Sequence, residues 1–201
     1  MTSLHPNKNE AGISVIILAG GLSSRMGRDK GLILLQGRSM IEHILEQAAY
    51  LTTNIIIVTG NPAYKKFGFP CQHDIIPGKG PLGGIYTGLV HSPTRKNIVL
   101  GCDTPFISDG TLQHLAASCG GEDVLITEHR RKAQPLCAVY DKNCIAHFKD
   151  KIAAGQLKLL DAIQDLKVTV TRFDEALWLS HDEFANINTP EELNKFESQN
   201  K

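Results

Sequence analysis

The segment Leu18–Lys30, LAGGLSSRMGRDK, collects the residue types that phosphate chemistry needs. Gly20 and Gly21 permit close backbone approach, so their amides can cradle phosphate oxygens. Arg25 and Lys30 add cationic donors that would hold a polyphosphate and neutralise a departing pyrophosphate. Two familiar phosphate loops do not match. The glycines stand at 20, 21 and 27, which breaks G-x-G-x-x-G, and Arg28 follows Gly27 where a P-loop has lysine. For the glycines alone, a flexible turn with solvated Arg25, Arg28 and Lys30 is the competing reading.

Other residues suit the same chemistry. Asp103, in CDTPF, follows the apolar run NIVLG. A carboxylate at a strand's C-terminal end faces the ligand crevice of an open α/β sheet and can hold Mg²⁺; an Asx-type turn before Pro105 is the alternative. Gly83 and Gly84, in GPLGGI, fall near a helix start, where free amides and the dipole favour anions. Asp74 precedes that string, and an ordinary turn carboxylate before Pro77–Gly78 is its competing role. Thr189, Pro190 and Glu192 have the spacing of a capped helix start. Cys102 has no paired histidine and reads as a buried structural thiol. The histidines form no H-E-x-x-H or comparable zinc pattern, and HRRK (residues 129–132) reads as a solvated charge run rather than a ligand clamp.

These residues need a scaffold, and the patterning supplies one. Strands are expected at Ile13–Leu18, Ile55–Val58, Asn97–Gly101, Asp123–Thr127, Leu136–Tyr140 and Lys167–Phe173. Helices are expected at Ser39–Ala48, Leu82–Val90, Ser108–Ala117 and Leu157–Leu166, with a Ser39/Glu42 capping box opening the first. Such alternation predicts an α/β fold of three layers, a mainly parallel sheet with helices on both faces and right-handed crossovers. One domain over residues 12–197 is expected, with 1–11 a disordered N-terminus and 198–201 a loose end.

The 201 residues carry 21 basic and 21 acidic side chains. That balance argues against a nucleic-acid or membrane-surface binder. Five cysteines without C-x-x-C spacing, a polar N-terminus and no long apolar run point to a cytoplasmic protein without a membrane span.

The whole string RMGRDKGL after a strand, with Asp29 directly before Lys30, resembles the molybdenum cofactor guanylyltransferases among the nucleotidyltransferases of Rossmann-like fold. GPLGGI, CDTPF and NINTP follow in family order, so the resemblance spans Val15 to about Glu192. In sugar-phosphate relatives the lysine commonly follows proline instead. The resemblance implies transfer of GMP from GTP to the terminal phosphate of molybdopterin, with Mg²⁺ as cofactor. It implies GTP contacts at Leu18, Ala19, Gly20, Gly21, Lys30, Asp74, Gly83 and Asp103. Arg25, Lys30 and Asp103 inherit catalytic roles, and Asp103 the metal. Asn186 and Asn188 are implied molybdopterin or active-site contacts, with purely local backbone bonding the alternative for Asn188. Guanine reading falls to Asn61 or Thr59, although Asn61 before Pro62 is also a turn residue. Contact with proteins that deliver or accept the cofactor follows from the same likeness. A cytidylyltransferase on this scaffold and a non-catalytic nucleotide-binding module are the rival functions. Nucleotide selectivity and turnover separate them.

Overall fold

β-branched residues buried on both faces make the central strands, in the computed structural model that describes residues 12–20, 29–173 and 179–198. Gly21, Arg25, the expected disordered stretch 1–11 and most of the expected loose end 198–201 lie outside the described residues. β1 (Ile13–Leu18) lies between β4 (Ile55–Val58) and β6 (Lys96–Gly101), parallel to both. The register sets Leu18 opposite Val58 and Gly101. Three C-terminal strand ends are thus level along one edge, where an open α/β sheet keeps its ligand crevice.

The full sheet adds β5 (Cys71–Gln72), β7 (Val124–His129), β8 (Lys132–Asp141) and β9 (Val168–Arg172), in the order β5-β4-β1-β6-β8-β7-β9. β8 runs antiparallel to β6 and β7. A small hairpin, β2 (Leu34–Leu35) with β3 (Arg38–Ser39), stands apart.

Side-chain alternation divides the core between the two sheet faces. Ile13, Val15 and Ile17 pack with α1 (Met40–Leu51) and α3 (Asp109–Ser118) through Ile41, Ile44, Leu112 and Leu115. Ile16, Ile56 and Val99 pack with α2 (Gly80–His91), α4 (Cys144–Ala153) and α5 (Leu159–Ala162) through Leu82, Ile85, Phe148 and Leu159. α2 lies so close to β1 that a Cβ at Gly88 would sit 2.4 Å from Ile16 Cγ2. α6 (Pro190–Ser198) closes the described chain.

The expected elements are present, with three corrections. The Leu157–Leu166 helix shortens to the four residues of α5. α4, β5 and the β2–β3 hairpin add to the expected set. The expected strand Leu136–Tyr140 is half of a ten-residue β8, because β8 extends beyond its pairing with β6 and stays paired with β7 up to a turn at Arg130 and Arg131.

Both turn residues have positive φ, 50° and 59°. Left-handed backbone costs a non-glycine residue roughly 1–2 kcal/mol, and Asn-Gly is the pair best suited to such a turn. The double variant Arg130→Asn/Arg131→Gly is therefore expected to stabilise the fold by about 1–2 kcal/mol, read as a higher midpoint in urea at unchanged slope. A lower midpoint would mean that the arginine side chains contribute more than the turn strain costs.

Candidate active site

The level ends of β1, β4 and β6 open into a cleft of about 570 Å³, within the range of small-molecule sites. Leu18, Gly20, Lys30, Thr59, Asp74 and Asp103 line it together with Gly84 and Leu136. Residues from well-separated stretches of sequence thus meet around one space.

Lys30 opens a single turn of 3-10 helix, Lys30–Leu32. Its Nζ donates to Asn188 Oδ1 at 2.5 Å and lies 3.6 Å from Asp103 Oδ2. Asp103 follows β6, and the Thr104 hydroxyl bonding the Gly101 carbonyl at 3.0 Å fixes the turn there. Asp103 also accepts the Ile187 amide at its backbone oxygen, 2.9 Å away. Lys30, Asp103 and Asn188 therefore form one cluster, although Asn188 is 158 positions from Lys30.

Asp29, to which the motif assigns no role, is held from both sides. Its Oδ2 accepts Asn61 Nδ2 at 2.9 Å, and its Oδ1 accepts the buried Tyr64 hydroxyl. Burial and this carboxylate push the Tyr64 phenol well above its ordinary range. Gly31 makes the approach possible, because a Cβ there would stand 2.4 Å from the Tyr64 oxygen. Asp29 and Tyr64 together fix the backbone from which Lys30 projects. Nothing local in the sequence links positions 35 apart, so this partner is not legible from the motif.

Four residues expected to meet the nucleotide or acceptor stand outside the cleft lining. The Asn61 amide gives one hydrogen to Asp29, and its Oδ1 caps the following 3-10 turn by accepting Ala63 N at 3.0 Å. Thr59, the alternative guanine reader, does line the cleft. Gly83 is the fourth residue of α2, and its amide already donates to the Lys79 carbonyl at 3.3 Å; Gly80, Pro81 and Gly84 line the cleft in its stead. Free amides belong to the first turn of a helix only. Ala19 buries its methyl in the α1/α3 core and donates its amide to Val58 O at 2.9 Å. Asn186 is exposed and stands outside the cleft lining.

Asp74 reaches the cleft from the loop before α2. Burial raises its carboxyl above the usual range, against the opposing pull of His73. Cys102 also lines the cleft, but burial pushes its thiol up to about 12, which removes nucleophilic thiolate at neutral pH. The chemistry on offer is an ammonium group and several carboxylates around a glycine-lined space, suited to positioning an anionic substrate. Among the described residues no three His, Cys, Asp or Glu side chains converge on a metal position. Asp29, Asp74 and Asp103 bring carboxylates to the cleft, and a hard cation such as Mg²⁺ needs only one or two of these beside phosphate and water.

Comparison with known proteins gives the same reading from an independent direction. Residues 15–168 match the family described as the MobA-like NTP transferase domain. A probable molybdenum cofactor guanylyltransferase of Flavobacterium johnsoniae is 35% identical over 183 residues, 90% of this chain and 95% of that one. The molybdenum cofactor guanylyltransferase of Vibrio parahaemolyticus is 33% identical over 187 residues, covering 91% and 94%. The crystal structure of molybdopterin-guanine dinucleotide biosynthesis protein A from Archaeoglobus fulgidus superposes with a TM-score of 0.77 at 27% identity, covering 92% of this chain and 97% of that one. The chain belongs to the MobA-like NTP transferase family.

Proposed function

We propose that this protein transfers the GMP part of GTP to the terminal phosphate of molybdopterin, giving the guanine dinucleotide form and pyrophosphate. The observation that carries the chemistry is the pairing of Lys30 with Asp103, 3.6 Å apart at the crevice edge of the sheet. Relatives named guanylyltransferases at 33% identity support the choice of nucleotide and acceptor.

An oxygen of the acceptor phosphate attacks the α-phosphorus of GTP. The bond from that phosphorus to the oxygen bridging to the β-phosphate breaks, and the electron pair leaves with pyrophosphate. The attacking oxygen is already anionic, so no serine or cysteine nucleophile is required. Lys30 directs its ammonium group to the leaving pyrophosphate, while Asn188 holds it in place. The Gly20 backbone allows the phosphates to approach closely. Asp103 fits Mg²⁺, a hard ion that takes few protein carboxylates beside phosphate oxygens. When bound, Mg²⁺ supplies positive charge to the reacting phosphates.

Incubation with each nucleoside triphosphate, molybdopterin and Mg²⁺ tests the reading. GMP transfer from GTP alone is the expected result, and preferred transfer from CTP would overturn it.

Asp74 lies beside the α2 entry rather than in the Lys30–Asp103 cluster, so it belongs to ground-state nucleotide binding. The Asp74→Ala variant is expected to raise KM for GTP while kcat stays close to the parent value. Initial rates titrated with GTP check this; an unchanged KM would remove Asp74 from the site.

A further inference from the structure

We infer that Glu183 is a positioning residue for the proposed transfer, anchoring the segment that sets Asn188 against Lys30. The inference rests on the function proposed above. Glu183 is 1% exposed. Burying a carboxylate is costly unless donors surround it, and here they do. Its Oε1 accepts the Ser108 amide at 2.7 Å, the Ser108 hydroxyl at 2.6 Å and the Thr111 hydroxyl at 2.6 Å. Its Oε2 accepts the Ser180 hydroxyl at 3.3 Å. The carboxylate also caps the N-terminal end of α3, where the helix dipole favours an anion.

The consequence lies in what those donors belong to. Ser108 ends the loop that Asp103 begins. The described segment 179–188, which has no helix or strand of its own, runs alongside that loop in the opposite direction. It is fastened twice, by Glu183 at Ser108 and by Ile187 N at the Asp103 carbonyl, 2.9 Å. The residue after the second fastening is Asn188, whose Oδ1 receives Lys30 Nζ. Phe184 and Ile187 bury their side chains, but apolar packing fixes depth better than register along the chain. A carboxylate with three directed hydrogen bonds across to Ser108 and Thr111 fixes register. Glu183 thereby acts on catalysis through Asn188 and Lys30 while touching neither substrate nor metal.

The test is a double-mutant cycle in the full chain, with steady-state rates at varied GTP and thermal melts for every variant. Glu183→Gln removes the charge at the α3 N-terminus, leaves one acceptor oxygen for Ser108 and Thr111, and puts an NH2 donor where Oε2 accepted the Ser180 hydroxyl. Its kcat is expected to fall on the order of 10- to 10²-fold, the scale of a small misplacement near the reacting atoms. KM for GTP should stay near the parent value. In an Asn188→Ala background the same substitution should cause little further loss, because the element it positions is gone. Parental kcat in folded Glu183→Gln, or fully additive losses, would overturn the inference and leave Glu183 as a fold-stabilising residue. If Glu183→Gln does not fold, Thr111→Val, which deletes one hydroxyl without changing shape, is put through the same cycle. Non-additive loss there supports the inference, and parental kcat or additive loss overturns it. A parent chain that transfers no GMP from GTP would defeat the proposed function itself, and this inference with it. Transfer by the parent together with additive losses defeats only the role of Glu183.

Discussion

Lys30→Ala is expected to lower turnover by on the order of 10²–10³ at saturating GTP, the usual loss when one oriented electrostatic donor is removed. The fold should persist. The Lys30 and Asp103 side chains keep 22% and 25% of their surface exposed, and pairs with this access to water contribute roughly 0–1 kcal/mol to stability. The local backbone is instead held by the Asp29 contacts to Asn61 and Tyr64, which the substitution leaves in place. Charge on the departing pyrophosphate grows as its bond to the α-phosphorus breaks, so the loss belongs in kcat more than in nucleotide affinity. Circular dichroism and a thermal melt control for folding. Turnover near that of the parent would show that the ammonium group faces solvent in the working complex and that Asn188 is its structural partner only.

The outcome for Lys30 also bears on how the site could be read from sequence at all. β1 and β4 are legible to the residue, Ile13–Leu18 and Ile55–Val58, because both faces of each strand are buried and the runs are almost wholly apolar. Asp103 is legible for the same reason, as a carboxylate at the end of such a strand. α4 is not, although Cys144, Phe148 and Ile152 bury one helical stripe at spacings of four. The stripe is narrow, one of its members is a cysteine, and most of the intervening residues are polar. The β7–β8 hairpin carries no Asn-Gly or Gly signal, its two left-handed positions being arginines. Strand direction is not legible for β8, since pairing of either sense buries the same side chains.

Within the site, Asn61 and Gly83 stand outside the cleft lining, and each is bonded within the fold. Both have residue types that suit a ligand, and both spend hydrogen-bonding capacity within the fold, Gly83 its one amide hydrogen and Asn61 one of its two. Asn61 gives its amide to Asp29, and Gly83 gives its amide to Lys79. The Asn61 partner lies on an element whose placement only the tertiary structure supplies, and the Gly83 partner depends on where the helix begins. A shift of the α2 start from Leu82 to Gly80 is enough to move Gly83 out of the free first turn. Motif strings locate the cleft, while the bonds that its residues make within the fold come from tertiary structure.

Asp103→Asn carries the other large expected effect: normal folding with loss of Mg²⁺-dependent guanylyl transfer. Asparagine nearly preserves the shape of aspartate, which matters because Asp103 Oδ1 lies 2.7 Å from where a Cβ on Gly101 would stand, leaving little room for a larger group. The bond from the Ile187 amide goes to the Asp103 backbone oxygen and survives the change. The 3.6 Å ion pair to Lys30 is lost, again a pair of small energetic weight. What the substitution removes is the charge that would hold the cation among phosphate oxygens, and Mg²⁺ sites of this kind rely on so few protein carboxylates that one deletion has little backup. A weakened but not abolished site would be refilled by mass action, so raising Mg²⁺ should recover part of the activity. Pyrophosphate release titrated with Mg²⁺ for parent and variant, alongside matched melts, separates the possibilities. Severe loss with partial recovery at high Mg²⁺ supports the metal role. Severe loss that Mg²⁺ does not move would leave Asp103 as a partner that orients Lys30, and full activity at ordinary Mg²⁺ would reduce it to the turn residue that its place before Pro105 also allows.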